Sequence, residues 1–278
     1  MDTLTSLIDH RVLQAVAPRA PTKYIAAQQK NIAAFGPLLP VLLPKFKVDS
    51  VLRISHLLAQ VAHESDGFCT TTEYASGQAY EGRTDLGNTQ KGDGVRFKGR
   101  GLIQLTGRAN YRSFTQWISR HIAGAPDFEK IPEKVADFPW AAWCVFYYWS
   151  TRNLNTLADQ DDLVAVTKVV NGGRNGLAER GSYLGKLKSE VFRIEAGRVG
   201  FRQNAPLLRR GSVGLDVETL QRALKSAGLY SLAIDTVFGA GTEQAVRAFQ
   251  KKNLLTVDGL VGKRTWAALA NFMPKAAA

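Results

Sequence analysis

Apolar residues recur at helical spacing through most of this chain. The pattern predicts helices over Leu4–Ala17, Thr22–Phe35, Val51–Glu64, Tyr111–Arg120, Trp140–Arg152, Leu163–Asn171 and Leu177–Glu190. The densest apolar run, Phe35 to Val48, is broken by Pro37, Pro40 and Pro44. Between Glu64 and Tyr111 the helical period stops and glycines crowd in, from Gly67 through Gly107. A segment of that length inside a compact domain is functional or disordered. Phe68, Tyr74, Tyr80, Phe97, Leu102 and Ile103 favour an ordered loop that builds a site.

From Arg198 to Arg210 the periodicity fades again, around Gly200, Asn204 and Pro206. This places a domain boundary between 1–199 and 200–278. The second part contains an internal repeat. One copy puts Val217, Leu220 and Leu224 on a helix face and closes on Asp235-Thr236-Val237-Phe238-Gly239. The other puts Ala245, Val246 and Phe249 on a face and closes on Asp258-Gly259-Leu260-Val261-Gly262, 23 residues later. Thr242 and Thr265 stand where an N-cap belongs, and a third short helix follows over Thr265–Ala270. Such a three-helix module is too small to hold an enzyme cleft of its own.

Composition narrows the classes. With 45% hydrophobic and 22% charged residues the chain is globular rather than disordered. The net charge of +12 divides evenly, with 25 basic and 19 acidic residues in 1–199 and 11 and 5 in 200–278. A surface of that sign attracts polyanions, and bacterial envelopes rich in phosphate and carboxylate qualify. Lys and Arg never run beyond pairs and no nucleic-acid motif is present, so nucleic acid is not the expected partner. No stretch is long and apolar enough to span a membrane, and Met1–His10 does not read as a secretion signal. Cys69 and Cys144 belong to no C-x-x-C pair and read as buried apolar thiols; their spacing does not argue for a disulfide. Such sparse cysteine fits synthesis in a reducing cytoplasm.

The chemistry concentrates around Glu64. Ile54, Leu57, Leu58 and Val61 form the apolar face of its helix, and Glu64 extends that face. A carboxyl in apolar surroundings at a helix C-terminus is kept protonated, which suits a general acid. Glu73 follows nine residues later, close enough along the chain to face it across a cleft. Hydrolysis with inversion needs a second carboxyl roughly 6.5–9.5 Å from the first, with water between. Glu81 and Asp85 compete for that role, and spacing does not choose among the three. In Phe97-Lys98-Gly99-Arg100-Gly101-Leu102-Ile103-Gln104-Leu105-Thr106-Gly107, an extended backbone would put Gln104 and Thr106 on one face. The Thr106 hydroxyl would suit orienting a water. Four histidines without an H-E-x-x-H or a cysteine cluster exclude a zinc peptidase, and no G-x-S-x-G elbow appears. The aromatic run from Trp140 to Trp149 reads as core.

Two resemblances join these observations. Ala62-His63-Glu64-Ser65, the Phe97–Thr106 segment, Asn110-Tyr111 and Val170-Asn171-Gly172-Gly173 together resemble the catalytic domain of glycoside hydrolase family 19. That family includes chitinases and lysozyme-like phage endolysins, and the likeness spans residues 20–195. It implies a mainly α, lysozyme-like catalytic domain that needs no metal or cofactor and works by inversion. Glu64 would be the general acid, Glu73 the general base and Thr106 a holder of the attacking water. Gln104, Asn110 and Asn171 would line the sugar groove, and Arg180 is similar to a cleft arginine. Plant-type members have a longer span between the glutamates and several disulfides. The segment Tyr80–Thr89 resembles phage-type members and keeps Glu81 in contention. Residues 206–270 resemble the peptidoglycan-binding domain attached to many wall hydrolases, with Thr236 where that family has glycine. The expectation is therefore a monomeric endolysin that cleaves β-1,4 bonds of peptidoglycan. It would be made in a host bacterium's cytoplasm and released to the wall without a signal peptide of its own. Chitinase and a non-catalytic wall-binding virion component are the alternatives.

Overall fold

The computed structural model describes residues 3–198 and 206–272. The chain forms two compact units, Met1–Lys188 and Ser189–Ala278. The boundary expected at residues 199–200 lies outside the described residues. The architecture is mainly α, as the periodicity predicts: α1 (His10–Val16), α2 (Ile25–Phe35), α3 (Leu39–Lys45), α4 (Val51–Glu64), α5 (Asp93–Arg96), α6 (Arg108–Ile118), α7 (Trp140–Thr151), α8 (Leu154–Asp159), α9 (Leu163–Asn171), α10 (Leu177–Arg198), α11 (Leu215–Ser226), α12 (Ala240–Lys252) and α13 (Lys263–Leu269).

Where helices depart from the sequence expectation, the cause is local. The predicted Leu4–Ala17 helix divides at Asp9, whose extended backbone leaves the helix while its carboxylate caps α1 by accepting from the Arg11 N–H at 2.8 Å. The proline-broken run nevertheless contains α3. Pro40 falls in the first turn, where no N–H is needed, Pro44 falls at the last, and Leu39, Leu42 and Leu43 are buried. Helix α10 runs past Glu190 to Arg198.

Helix α4 is the axis of the first unit. The Ser50 hydroxyl caps it by accepting from the Arg53 N–H. Every residue from Ile54 to Ala62 is buried, polar ones included, and the helix packs against α8 and α9. Cys69 and Cys144 are free and buried, and burial pushes the Cys144 thiol up to about 12. The glycine-rich segment is ordered around buried Phe68, Phe97, Leu102 and Leu105. An ion cluster ties it to α6: Arg108 meets buried Asp93 at 2.5 Å and Glu129 at 3.1 Å, and Arg112 meets Glu129 at 2.7 Å.

In the second unit, Val217, Leu220, Leu224, Phe238, Val246, Phe249, Val261, Trp266 and Leu269 form one core. The repeat is visible as two equivalent clamps. The Gln221 amide donates to the Asp235 carboxylate and the Val237 carbonyl, and its oxygen accepts from the Asp235 and Thr236 N–H groups. Gln250 does the same with Asp258, the Leu260 carbonyl and the Gly259 N–H. Thr242 and Thr265 are not N-caps. Their helices begin earlier, after Gly239 and Gly262, and each hydroxyl closes the clamp by accepting from the glutamine and donating to a turn carbonyl.

Two predictions follow from this packing. The hydrogen bonds from Arg112 and Arg108 hold the Glu129 carboxyl down at about 2, against an ordinary 4.5. A depressed carboxyl stabilises the fold above its unfolded pKa and loses that contribution as pH falls through the folded one. Discounted for partial exposure, Glu129→Gln costs roughly 1–2 kcal/mol at pH 7, and its urea midpoint rejoins that of wild type near pH 2. Separately, Thr236 holds a left-handed φ of 62° where its repeat counterpart Gly259 holds 73°. A β-branched residue pays about 1 kcal/mol there. Thr236→Gly should raise the thermal midpoint of the second unit and Gly259→Thr should lower it; equal midpoints would refute the assignment.

Candidate functional site

Glu64 is the last residue of α4. The next residue, Ser65, fixes the helix end, its hydroxyl donating to the Val61 carbonyl at 2.7 Å and accepting from the Phe68 N–H at 3.1 Å. This aims the Glu64 side chain at the first turns of α10, where Arg180 donates from Nη2 to Glu64 Oε1 at 2.5 Å. The Glu64 side chain is 17% exposed and that of Arg180 fully buried. The apolar surroundings expected for Glu64 are thus corrected: a guanidinium occupies one side of the carboxyl. Oε2 takes no hydrogen bond from the described residues and remains free to meet a ligand.

Arg180 itself is not the groove-lining residue that the sequence suggests. Its Nη1 donates to Oε1 of buried Gln60, its Nε to the Asn175 carbonyl at 3.3 Å, and its Nη2 to Glu64. Gln60 in turn points its amide at Thr167 of α9, 3.5 Å away. One turn earlier on α4, buried His56 meets Asp161 at 2.8 Å, and Asp161 meets Lys188 of α10 at 2.5 Å. His56, Gln60 and Glu64 therefore form a polar stripe at i, i+4, i+8 along α4, answered by Arg180 directly and by Lys188 through Asp161. Beside the stripe, the His63 ring meets Glu179 at 2.7 Å and packs directly on Gly176, where any side chain would collide with it.

The second carboxylate comes from the glycine-rich segment. Glu73 Oε1 accepts from the Tyr80 hydroxyl at 2.9 Å and Oε2 from the Gly99 N–H at 3.0 Å. The hydrogen bond also counts from the other side: the Tyr80 hydroxyl is pushed up by burial and by the neighbouring Glu73. A backbone bond from the Glu73 N–H to the Gly99 carbonyl and the Thr72–Arg100 bridge lock the two strands of loop together. A Cβ at Gly99 would come within 2.8 Å of the Gln104 side-chain oxygen and 3.2 Å of Glu73 Oε2, so a larger residue would displace both side chains. The rivals of Glu73 are engaged elsewhere. Glu81 spends its two oxygens on the Gly92 and Gly94 N–H groups at the start of α5, and exposed Asp85 is paired with Arg83.

The Phe97–Gly107 segment is not extended. Arg100 and Leu105 pair back to back across a tight turn in which Gln104 takes a left-handed φ of 55°. Gln104 and Thr106 are brought together by hydrogen bonding instead of by alternation. The Thr106 hydroxyl donates to the Gln104 carbonyl at 2.9 Å, the Gln104 amide donates to the Gly101 carbonyl at 2.9 Å, and the Asn110 amide donates to the Thr106 carbonyl at 2.7 Å. With its hydrogen donated to that carbonyl, the Thr106 hydroxyl can meet a further partner as an acceptor. Asn171 ends α9, is exposed and makes no hydrogen bond to the described residues.

Sequence reasoning missed Gln60, Tyr80 and Tyr148. Gln60 was signalled by its position one turn before Glu64. Tyr148, from the aromatic run assigned to the core, is only partly buried: its hydroxyl donates to the Val169 carbonyl beside Asn171, the Arg152 guanidinium lies 3.5 Å over its ring, and burial, with the Glu64 charge also contributing, pushes it up. Trp143, Phe146, Tyr147 and Trp149 are buried as expected, while Trp140 is partly buried. Among the described residues, no group of His, Cys, Asp or Glu is arranged to hold a metal ion, and no helix is long and apolar enough to cross a membrane.

Residues 213–269, within the second unit, match the family described as putative peptidoglycan binding domain. The chain is 35% identical over 109 residues to a glycosyl hydrolase family 19 domain-containing protein of Haemophilus influenzae, covering 39% of this chain and 49% of that one. It is 49% identical over 59 residues to a spore cortex-lytic enzyme of Bacillus cereus, covering 21% of this chain and 23% of the other. Over 121 residues it is 32% identical to an endochitinase of Arabidopsis thaliana, covering 43% and 39%. The chain spans about half or less of the length of these curated relatives. It thus counts glycosyl hydrolase family 19 proteins among its relatives and carries a peptidoglycan-binding domain at residues 213–269.

Proposed function

We propose that this protein is a cell-wall glycosidase, an endolysin that hydrolyses β-1,4 bonds of peptidoglycan by an inverting, two-carboxylate mechanism. The observation that carries the reading is the contrast between its two held carboxyls. Glu64 is gripped through Oε1 by a buried guanidinium and keeps Oε2 free, while Glu73 is fixed through both oxygens by Tyr80 and Gly99. Glu64 gives a proton from Oε2 to the glycosidic oxygen as the bond to C1 breaks. Glu73 takes a proton from water, whose oxygen bonds to C1 from the opposite face, so the product has the inverted configuration. As its proton leaves, Glu64 becomes a carboxylate already in contact with Arg180, a preorganised charge that favours the transition state. The Thr106 hydroxyl accepts the second hydrogen of that water. Gln104, Asn110 and Asn171 line the groove, and Arg180 acts behind it.

The peptidoglycan-binding domain match and the spore cortex-lytic relative support the bacterial wall as substrate, and the +12 charge favours its anionic polymers. In this reading the enzyme works as a monomer and is made in a bacterial host's cytoplasm before it acts on the wall. A second reading, hydrolysis of chitin, is favoured by the endochitinase relative.

Glu64→Gln and Glu73→Gln keep the shape of each side chain and remove its acid–base chemistry. Each is expected to slow the clearing of purified sacculi by about 10²–10⁴-fold, with pull-down by sacculi unchanged. Clearing at the wild-type rate by Glu64→Gln would overturn the mechanism. Turnover of N-acetylglucosamine oligomers with intact sacculi would transfer the reading to chitin.

A further inference from the structure

Gln60 is a fully buried, uncharged amide that no step of the proposed mechanism touches. Its position is nonetheless constrained on both sides. Its oxygen accepts from Arg180 Nη1, while the other terminal nitrogen of the same guanidinium donates to Glu64 Oε1. Its amide nitrogen faces the Thr167 hydroxyl, also fully buried, on the helix that ends at Asn171. A guanidinium is planar and rigid, so fixing Nη1 fixes the direction of Nη2. Buried in this way, it cannot reorient without leaving a donor unpaired, which costs more than the bond itself contributes.

We propose that Gln60 is a positioning residue for catalysis: acting through Arg180, it sets which oxygen of Glu64 is held and which one faces the glycosidic bond. The assignment rests on the glycosidase reading above. Its neutrality is part of the device. Among the described residues, Arg180 of α10 meets Glu64 directly, Tyr148 of α7 feels its charge while Arg152 stacks on that ring, and His63, the neighbour of Glu64 on α4, is paired with Glu179. Glu64 is the one carboxylate paired with Arg180 among the described residues, and Gln60 gives Nη1 an acceptor without competing as a second anion.

Two substitutions separate positioning from mere support. Gln60→Leu removes the acceptor. It should lower the maximal rate of sacculus hydrolysis at least tenfold, toward the roughly 100-fold that small misplacements cost. The sacculus concentration at half-maximal rate should stay within about twofold. Gln60→Glu restores an acceptor of the same shape but adds an anion. It should keep the slowly exchanging Arg180 signals but recover only part of the lost rate, because the added anion competes with Glu64 for the guanidinium. Melting curves of both variants check folding. Independently of turnover, nitrogen-15 NMR should show slowly exchanging Arg180 Nη–H signals in wild type and in Glu64→Gln, and their loss in Gln60→Leu. Folded Gln60→Leu with an unchanged rate or with those signals retained would overturn the proposal. A wild type inactive on sacculi, with the Arg180 signals still dependent on Gln60, would sink the glycosidase reading and leave the Gln60–Arg180 link standing.

Discussion

A charged guanidinium with no exposure to water is the most demanding feature of this molecule. Burying such an ion costs several kcal/mol unless its hydrogen bonds are completed. Each of the three Arg180 nitrogens has an acceptor: Glu64, Gln60 and the Asn175 carbonyl. That requirement shapes the whole first unit. It places Gln60 and Glu64 on one face of α4, with α10 running beside them. A second link, from His56 through Asp161 to Lys188, fastens the same two helices about two turns further along. The register between α4 and α10 is thereby fixed at two points, and the acid is presented from a rigid element instead of a loop.

The opposite carboxylate is held in a different way. Glu73 sits on a glycine-rich segment without helical hydrogen bonds of its own, so its geometry depends on close backbone approach. The Gly99 N–H reaches it because no side chain intervenes, and Tyr80 supplies the second contact. The Arg108–Asp93–Glu129–Arg112 cluster anchors the far end of this segment to α6. One carboxyl is fixed by buried charge, the other by a backbone N–H and a tyrosine hydroxyl, a difference that fits the separate roles proposed for them.

Much of this was legible in the sequence. The bounds of α4 and α9 follow from periodicity and caps, and the repeat in the second unit follows from its paired pentads. What was not legible was the set of partners brought in from distant sequence. Arg180 lies 116 residues from Glu64, and nothing local to either shows that they meet. The apolar stripe leading to Glu64 suggested a dry pocket, because the buried guanidinium that meets it arrives from a distant helix. The turn at Gln104 escaped because a non-glycine residue takes the left-handed conformation there. Thr242 and Thr265 passed for caps because the glycines that truly precede the helices carry no side chain to announce them.

The account's central claim is that Glu64 and Glu73 act on opposite faces of one sugar with a water between them. The most direct measurement is proton NMR of the first product released from β-linked glycan, recorded before mutarotation. The account predicts the α-anomer. Appearance of the β-anomer first would mean a covalent or substrate-assisted route and would contradict it.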